Sequence, residues 1–335
     1  ERVEKELKSG KLSKFHEAVL DHAKNLLELS RSRMNKFYGS WDDYDDIYRG
    51  KRYPDKSDME RRKKEEPEKM VVPLAYAQVQ TFVAFCILLF TQREFTVELQ
   101  AQGPEDEPAA RLGEALMERD LRTNQFVAGL KQFLTDIARF GFGVLKHSWA
   151  RETQLIRTTN PMPGSEMISV SEIKEVTKFL GNRVENISPY RFFPDPRVPL
   201  SKMQEGEFCA DEDEVSIISL RKLEKEGVVA GVDQIKPWSS TDLAVREGNS
   251  RLFSQSADGT TDMQKGQTKG MCVRTEVQVK IVPKDFELED GKPLGEEDYP
   301  VHYVITYVND ETVIRCEPMN YLHNEFTYDL AEFNP

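Results

Sequence analysis

The stretch Asn124–Ala150, NQFVAGLKQFLTDIARFGFGVLKHSWA, changes its hydrophobic period partway along. Phe126, Leu130, Phe133, Leu134, Ile137 and Phe140 follow one another at helical spacing, so Asn124–Phe140 reads as a helix with one apolar stripe. Gly141 suits a left-handed cap at its end, and Gly143–Ala150 reads as a strand. The Gly-Phe-Gly at this junction lacks the spacing of a phosphate-binding loop and follows a helix, so no nucleotide site is expected there.

Working outward, the N-terminal side is helical. Lys11–Gly39 carries Phe15, Val19, Leu26, Leu29 and Met34 roughly on one face, with Gly39 as a stop. Pro73 opens a helix running to about Gln92, and Phe95–Gln100 alternates like a short strand. Pro104 and the acids after it start a further helix. On the C-terminal side, Thr153–Glu172 reads as a loop, Arg183–Ile187 as a strand, and Ser216–Glu226 as a capped helix stopped by Gly227. Gly248–Gly270 is Ser/Gly/Gln-rich and reads as a surface loop. Met271–Ile281 alternates strictly, and Val301–Val308 and Thr312–Cys316 flank a hairpin turn at Asn309–Asp310–Glu311. Helices come first and strands later, an α+β pattern. Three regions are expected: 1–70, an N-terminal helix and charged connection; 71–150, largely helical; and 151–335, strand-rich.

The 335 residues carry 46 Lys and Arg against 58 Asp and Glu, a net charge of −12. A protein that grips phosphates would need the opposite balance, although one past which DNA slides would not. Cys86, Cys209, Cys272 and Cys316 are far apart, with no C-x-x-C pair, and read as buried free thiols. Met70–Phe90 is long enough to span a bilayer, but Pro73, Gln78, Gln80 and Thr81 interrupt it. A buried helix is therefore expected, and no membrane partner. The chain opens without Met and stops at Pro335, as a portion of a longer protein would.

Chemistry is sparse. The five histidines fit no metal or triad pattern, so they read as structural. Asp42, Asp43, Asp45 and Asp46 do not match a calcium loop, and Asp211–Glu214 reads as a solvated acidic run before a helix. The basic run Arg61–Lys64 is cancelled by Glu65 and Glu66. No cofactor and no enzymatic activity are expected. The open alternative is a metal-dependent hydrolase or nuclease whose carboxylates, Asp43 and Asp213 among them, converge from afar.

The segment Ser188–Pro199, SPYRFFPDPRVP, is the most informative. Its four prolines stiffen an extended chain, and Tyr190, Phe192 and Phe193 must bury large rings either on their own domain or on a neighbour. Tyr190, Phe192, Phe193, Pro194, Asp195 and Pro196 form the candidate packing or assembly segment.

Three stretches together resemble portal (head-to-tail connector) proteins of tailed, particularly short-tailed, double-stranded DNA bacteriophages. They are Val71–Leu99, VVPLAYAQVQTFVAFCILLFTQREFTVEL; Asn186–Ser216, NISPYRFFPDPRVPLSKMQEGEFCADEDEVS; and Glu325–Pro335, EFTYDLAEFNP. The resemblance implies a ring, typically a dodecamer, at the portal vertex of the virion, assembled in the host cytoplasm. Its implied partners are further copies of the chain, the major capsid protein, the terminase packaging motor, a head-tail adaptor and the double-stranded DNA in the channel. It implies a wing-like α+β fold, with stem, clip and crown largely beyond Pro335.

Overall fold

Helix α1 (Lys14–Tyr48) buries Phe15, Val19, Ala23, Leu27, Met34, Tyr38 and Trp41 along one continuous stripe. The computed structural model describes Val3, Leu7 and residues 14–50, 72–92, 97–162, 165–236, 271–288 and 291–333, with backbone alone for 159–162 and 165–172. The helix runs past Gly39, the expected stop. That glycine sits on the outer face with nothing near its Cβ position, while Tyr38 and Trp41 on the inner face hold the helix to the core through it.

Helices α2 (Leu74–Thr91), α3 (Glu107–Thr123) and α4 (Phe126–Phe140) follow. The α4 helix ends where expected, with Gly141 in the left-handed region at φ 89°. Its stripe of Leu130, Phe133, Leu134 and Ile137 packs on Val83 of α2. Within the strand expected over Phe95–Gln100, residues 97–100 are irregular, and the rest lies outside the described residues. The charged run Glu60–Lys69 and the loop Gly248–Gly270 also lie outside them.

Among the described residues, eight strands form two antiparallel sheets, so the fold is α+β. In the smaller sheet, β1 (Phe142–Met162) pairs with β2 (Ser165–Ile187) on one side and with β8 (Tyr328–Glu332) on the other. The larger sheet has the order β3 (Phe192–Pro194), β4 (Phe208–Ser216), β5 (Met271–Ile281), β6 (Val301–Val308), β7 (Thr312–Pro318). Between β4 and β5, helix α5 (Ile217–Lys225) is capped by Ser216 Oγ, which accepts from the Ile218 N–H at 3.1 Å. The β6–β7 connection is the expected Asn309–Asp310–Glu311, with Asn309 and Asp310 left-handed at φ 54° and 56° and the Glu311 N–H bonded to the Val308 carbonyl at 3.1 Å.

The loop expected over Thr153–Glu172 is instead the outer part of β1 and β2, which pair from Val144↔Ile187 out to Met162↔Ser165. Its mixed composition hid the strands: Leu155, Ile156, Ile173 and Val176 are exposed on both faces of the ribbon, so no apolar alternation is required. The β8 strand supports β1 only over Phe142–Lys146, so beyond Lys146 the hairpin continues as a two-stranded arm. The 150/151 division falls inside β1.

The five-stranded sheet has two different faces. The row Ala210–Val277–Ile305–Cys316 meets α1 in the main core, with Phe15, Val19 and Ala23 in the same cluster. His16 Nε2 accepts from the Val313 N–H at 3.0 Å, fixing the register of α1 on β7. The opposite face carries Asp211–Glu276–Thr306–Arg315 and turns toward the smaller sheet.

Candidate functional site

Ser188–Pro199 turns the corner from the smaller sheet into the larger one. Pro189–Arg191 makes a 3-10 turn, and Phe192–Pro194 becomes edge strand β3, where a proline costs no ladder hydrogen bond. Tyr190, Phe192 and Phe193 are fully buried within the chain. The Tyr190 ring meets Trp41 edge-on at 5.2 Å and Phe140 at 5.4 Å, and lies stacked on Tyr38 at 5.6 Å. Phe192 lies 5.3 Å from the Tyr328 ring, and the Arg31 guanidinium sits over Phe193. The Pro194 carbonyl accepts from Ser30 Oγ at 2.6 Å. Asp195 accepts from the backbone N–H groups of Arg197 and Glu207, each at 3.0 Å, and from the Arg197 side chain. Burial works to raise its pKa, but the Arg197 guanidinium and those two N–H groups outweigh it and hold the carboxyl below its usual range. Pro196 is half-buried at the edge of this turn.

A cleft of about 980 Å³ opens between the two sheets. At its floor, Lys146 of β1 reaches Asp211 of β4 at 2.7 Å and Glu276 of β5 at 2.9 Å. Tyr328 of β8 donates its hydroxyl to Asp211 as well. Further out, Arg191 pairs with Asp213 at 2.6 Å, and Arg274 lies 3.8 Å from the same carboxylate. Burial alone would strip the charge from Lys146; the adjacent Asp211 and Glu276 carboxylates reverse this and raise its pKa. Burial would likewise neutralise Glu276, yet Lys146 and Arg274 bring it down to about 2. These groups are pushed away from neutrality, where a proton-transfer catalyst would be drawn toward it. They hold charge, and they clamp the two sheets together.

The acidic run Asp211–Glu214 therefore departs from the expected solvated surface. It lies on a strand, so alternate residues face opposite ways. Asp211 meets Lys146, while Glu212 pairs with Arg31 of α1 on the other side. Asp45 departs similarly: it is buried and paired with Arg139 of α4, whereas Asp42 and Asp43 stay exposed. Among the described residues, no group of three or more His, Cys, Asp or Glu is arranged to hold a metal ion. Lys146, Arg274 and Glu276 escaped sequence reasoning because polar residues on an alternating strand ordinarily face water. Only the second sheet, paired across a long sequence distance, covers them.

The α2 helix corrects the expectation of a buried helix. Its 18 residues, LAYAQVQTFVAFCILLFT, include no charged side chain, yet only Val83 is buried. Phe82, Cys86 and Ile87 pack partly on α4, and Phe82 meets Phe333 edge-on at 5.5 Å. Leu74, Phe85, Leu88 and Leu89 lie on the opposite face by helical geometry and are 54–68% exposed. By length and composition alone this is one helix apolar enough to cross a membrane. Comparison with protein-family models yields no match for the chain, and comparison with curated proteins yields none either.

Proposed function

We propose that this chain is the subunit of a portal-like ring at one capsid vertex of a tailed bacteriophage, through which DNA is packaged and ejected. The observation that carries the reading is α2, an uncharged helix that covers its own core with one face and turns Leu74, Phe85, Leu88 and Leu89 outward. A helix apolar all round belongs between two bodies, and the described residues supply only one of them.

The three stretches that resemble portal proteins are far apart in sequence but touch in space. Phe82 of the first meets Phe333 of the third, and Phe192 of the second meets Tyr328 of the third. Gln204 of the second also bonds the backbone of Phe326 and Tyr328. The resemblance thus falls on one contiguous body. The net charge of −12 suits a channel wall that offers DNA few phosphate anchors and lets it translate. Capsid protein, packaging motor and tail adaptor would then meet the outer surfaces of the ring. Native mass spectrometry with negative-stain imaging tests this: closed rings of one mass are expected. A protein that stays strictly monomeric at every concentration and salt overturns the reading.

A further inference from the structure

We propose that the outward face of α2 packs against the outer β1–β2 arm of a second copy of this chain, in a head-to-tail contact. The proposal rests on the assembly reading above and names the two surfaces that meet.

Both surfaces expose large apolar side chains that no other described residue covers. On α2, Leu74, Phe85, Leu88 and Leu89 keep 54–68% of their surface exposed. At about 150–200 Å² for each side chain, that amounts to roughly 400 Å². This falls within the range of the largest patches found on monomers, about 300–600 Å², and supplies about half of the ~800 Å² per partner of a stable interface. On the arm, Leu155 and Ile173 share one face and are 66% and 68% exposed, with Ile156 and Val176 exposed on the other. An isolated two-stranded ribbon is marginal in water, so an arm this long gains from being laid on a neighbour.

Charge points the same way. The chain carries −12, yet α2 has no charged residue, and Ala150–Leu180 has four basic and four acidic residues. These are surfaces through which like-charged copies meet without added repulsion. Residues 51–71, which lead into α2, include the run ERRKKEEPEK and suit an apolar face poorly. A bilayer would have to strip Val83 and Phe82 from α4 and Phe333 before α2 could insert. Because the two surfaces differ, the contact is heterologous and propagates from copy to copy, as a closed ring requires.

Two variants test it: Leu88→Glu on α2, and the pair Leu155→Glu with Ile173→Glu on the arm, each checked for an unchanged far-UV circular dichroism spectrum. Both should weaken assembly at least tenfold by native mass spectrometry. Phe85→Cys and Leu155→Cys on differently tagged copies should cross-link when the copies are mixed and oxidised. Assembly untouched by either variant overturns the proposal, as does dissociation by the α2 variant alone, or monomeric binding of the native protein to phosphatidylcholine vesicles. The ring reading falls separately. Dimers or open filaments that cross-link between these sites sink the closed ring and keep the interface. Closed rings indifferent to both variants do the reverse.

Discussion

Replacing Lys146 with Met tests whether the charge clamp holds the two sheets together. The Lys146 ammonium sits 2.7 Å from Asp211 and 2.9 Å from Glu276, with its side chain only 11% exposed. At an effective dielectric of about 20, each contact represents roughly 5–6 kcal/mol of Coulomb attraction, much of which desolvation offsets. Deletion is costlier than that balance suggests, because it strands two carboxylates in the cleft floor with Arg274 as the nearest remaining cation. Removing one partner of a buried ion pair costs about 3–5 kcal/mol, and Lys146→Met should fall in that range. Urea unfolding at pH 7, followed by tryptophan fluorescence at fixed protein concentration, reads the loss. Adding Asp211→Asn and Glu276→Gln to Lys146→Met should recover most of it, since the stranded charges are then gone. A loss below about 1 kcal/mol for Lys146→Met alone would refute the clamp.

The same cluster sets a pH profile. Glu276 lies below its ordinary 4.5, at about 2, so its contribution is complete above pH 4.5 and disappears as pH falls through about 2. Lys146 is raised, so its contribution is complete below its ordinary 10.5 and disappears only at higher pH. The urea midpoint should therefore hold a plateau between these limits and fall on acidification; a midpoint that rises from pH 5 to pH 2.5 contradicts the assignment. Gly181→Ala should cost about 1–3 kcal/mol by thermal denaturation, because a Cβ there comes within 2.5 Å of the Asp120 carboxylate, which is held by the Asn182 N–H at 2.9 Å. A neutral Gly181→Ala would mean that Asp120 is not pinned. Cys209, Cys272 and Cys316 are buried, and burial pushes the Cys316 thiol up to about 12. Ellman's reagent should thus find no more than one fast thiol per native chain, Cys86, and all four in urea; two or more fast thiols would show that the core opens readily.

Local pattern carried much of the fold. The α4 stripe, the Gly141 cap, the Ser216 cap and the β6–β7 turn depend on neighbours within one helical turn or one hairpin, and all stand where the sequence puts them. The misses are tertiary. Beyond Phe179 the arm turns Leu155, Ile156, Ile173 and Val176 to the outside, so its strands need no apolar alternation and read as a loop. The α2 helix is apolar enough to be buried, but a partner for its outer face is absent from the chain's own described elements. The Ser188–Pro199 segment left its partner open because proline stiffness and aromatic area say that rings must be buried, not where. Trp41, Phe140 and Tyr328, which bury them, come from three distant elements.

The clamp and the proposed interface bear on one another through β1. The β8 strand supports β1 only up to Lys146, so that residue marks the root from which the two-stranded arm departs. Leu145, its neighbour, points the other way into the α2–α4 cluster, while Lys146 reaches across to β4 and β5. The root is therefore held from both faces, by apolar packing on one side and by paired charges on the other. On β4, Asp211 joins that clamp and Glu212 ties the same strand to Arg31 of α1, so a chain of ion pairs links the root of the arm through the larger sheet to α1. An arm laid on a neighbouring copy transmits orientation between copies only if its base is stiff. Buried ion pairs of defined geometry serve that purpose better than interchangeable apolar contacts, even where they add little net stability, because they admit one arrangement and penalise its alternatives.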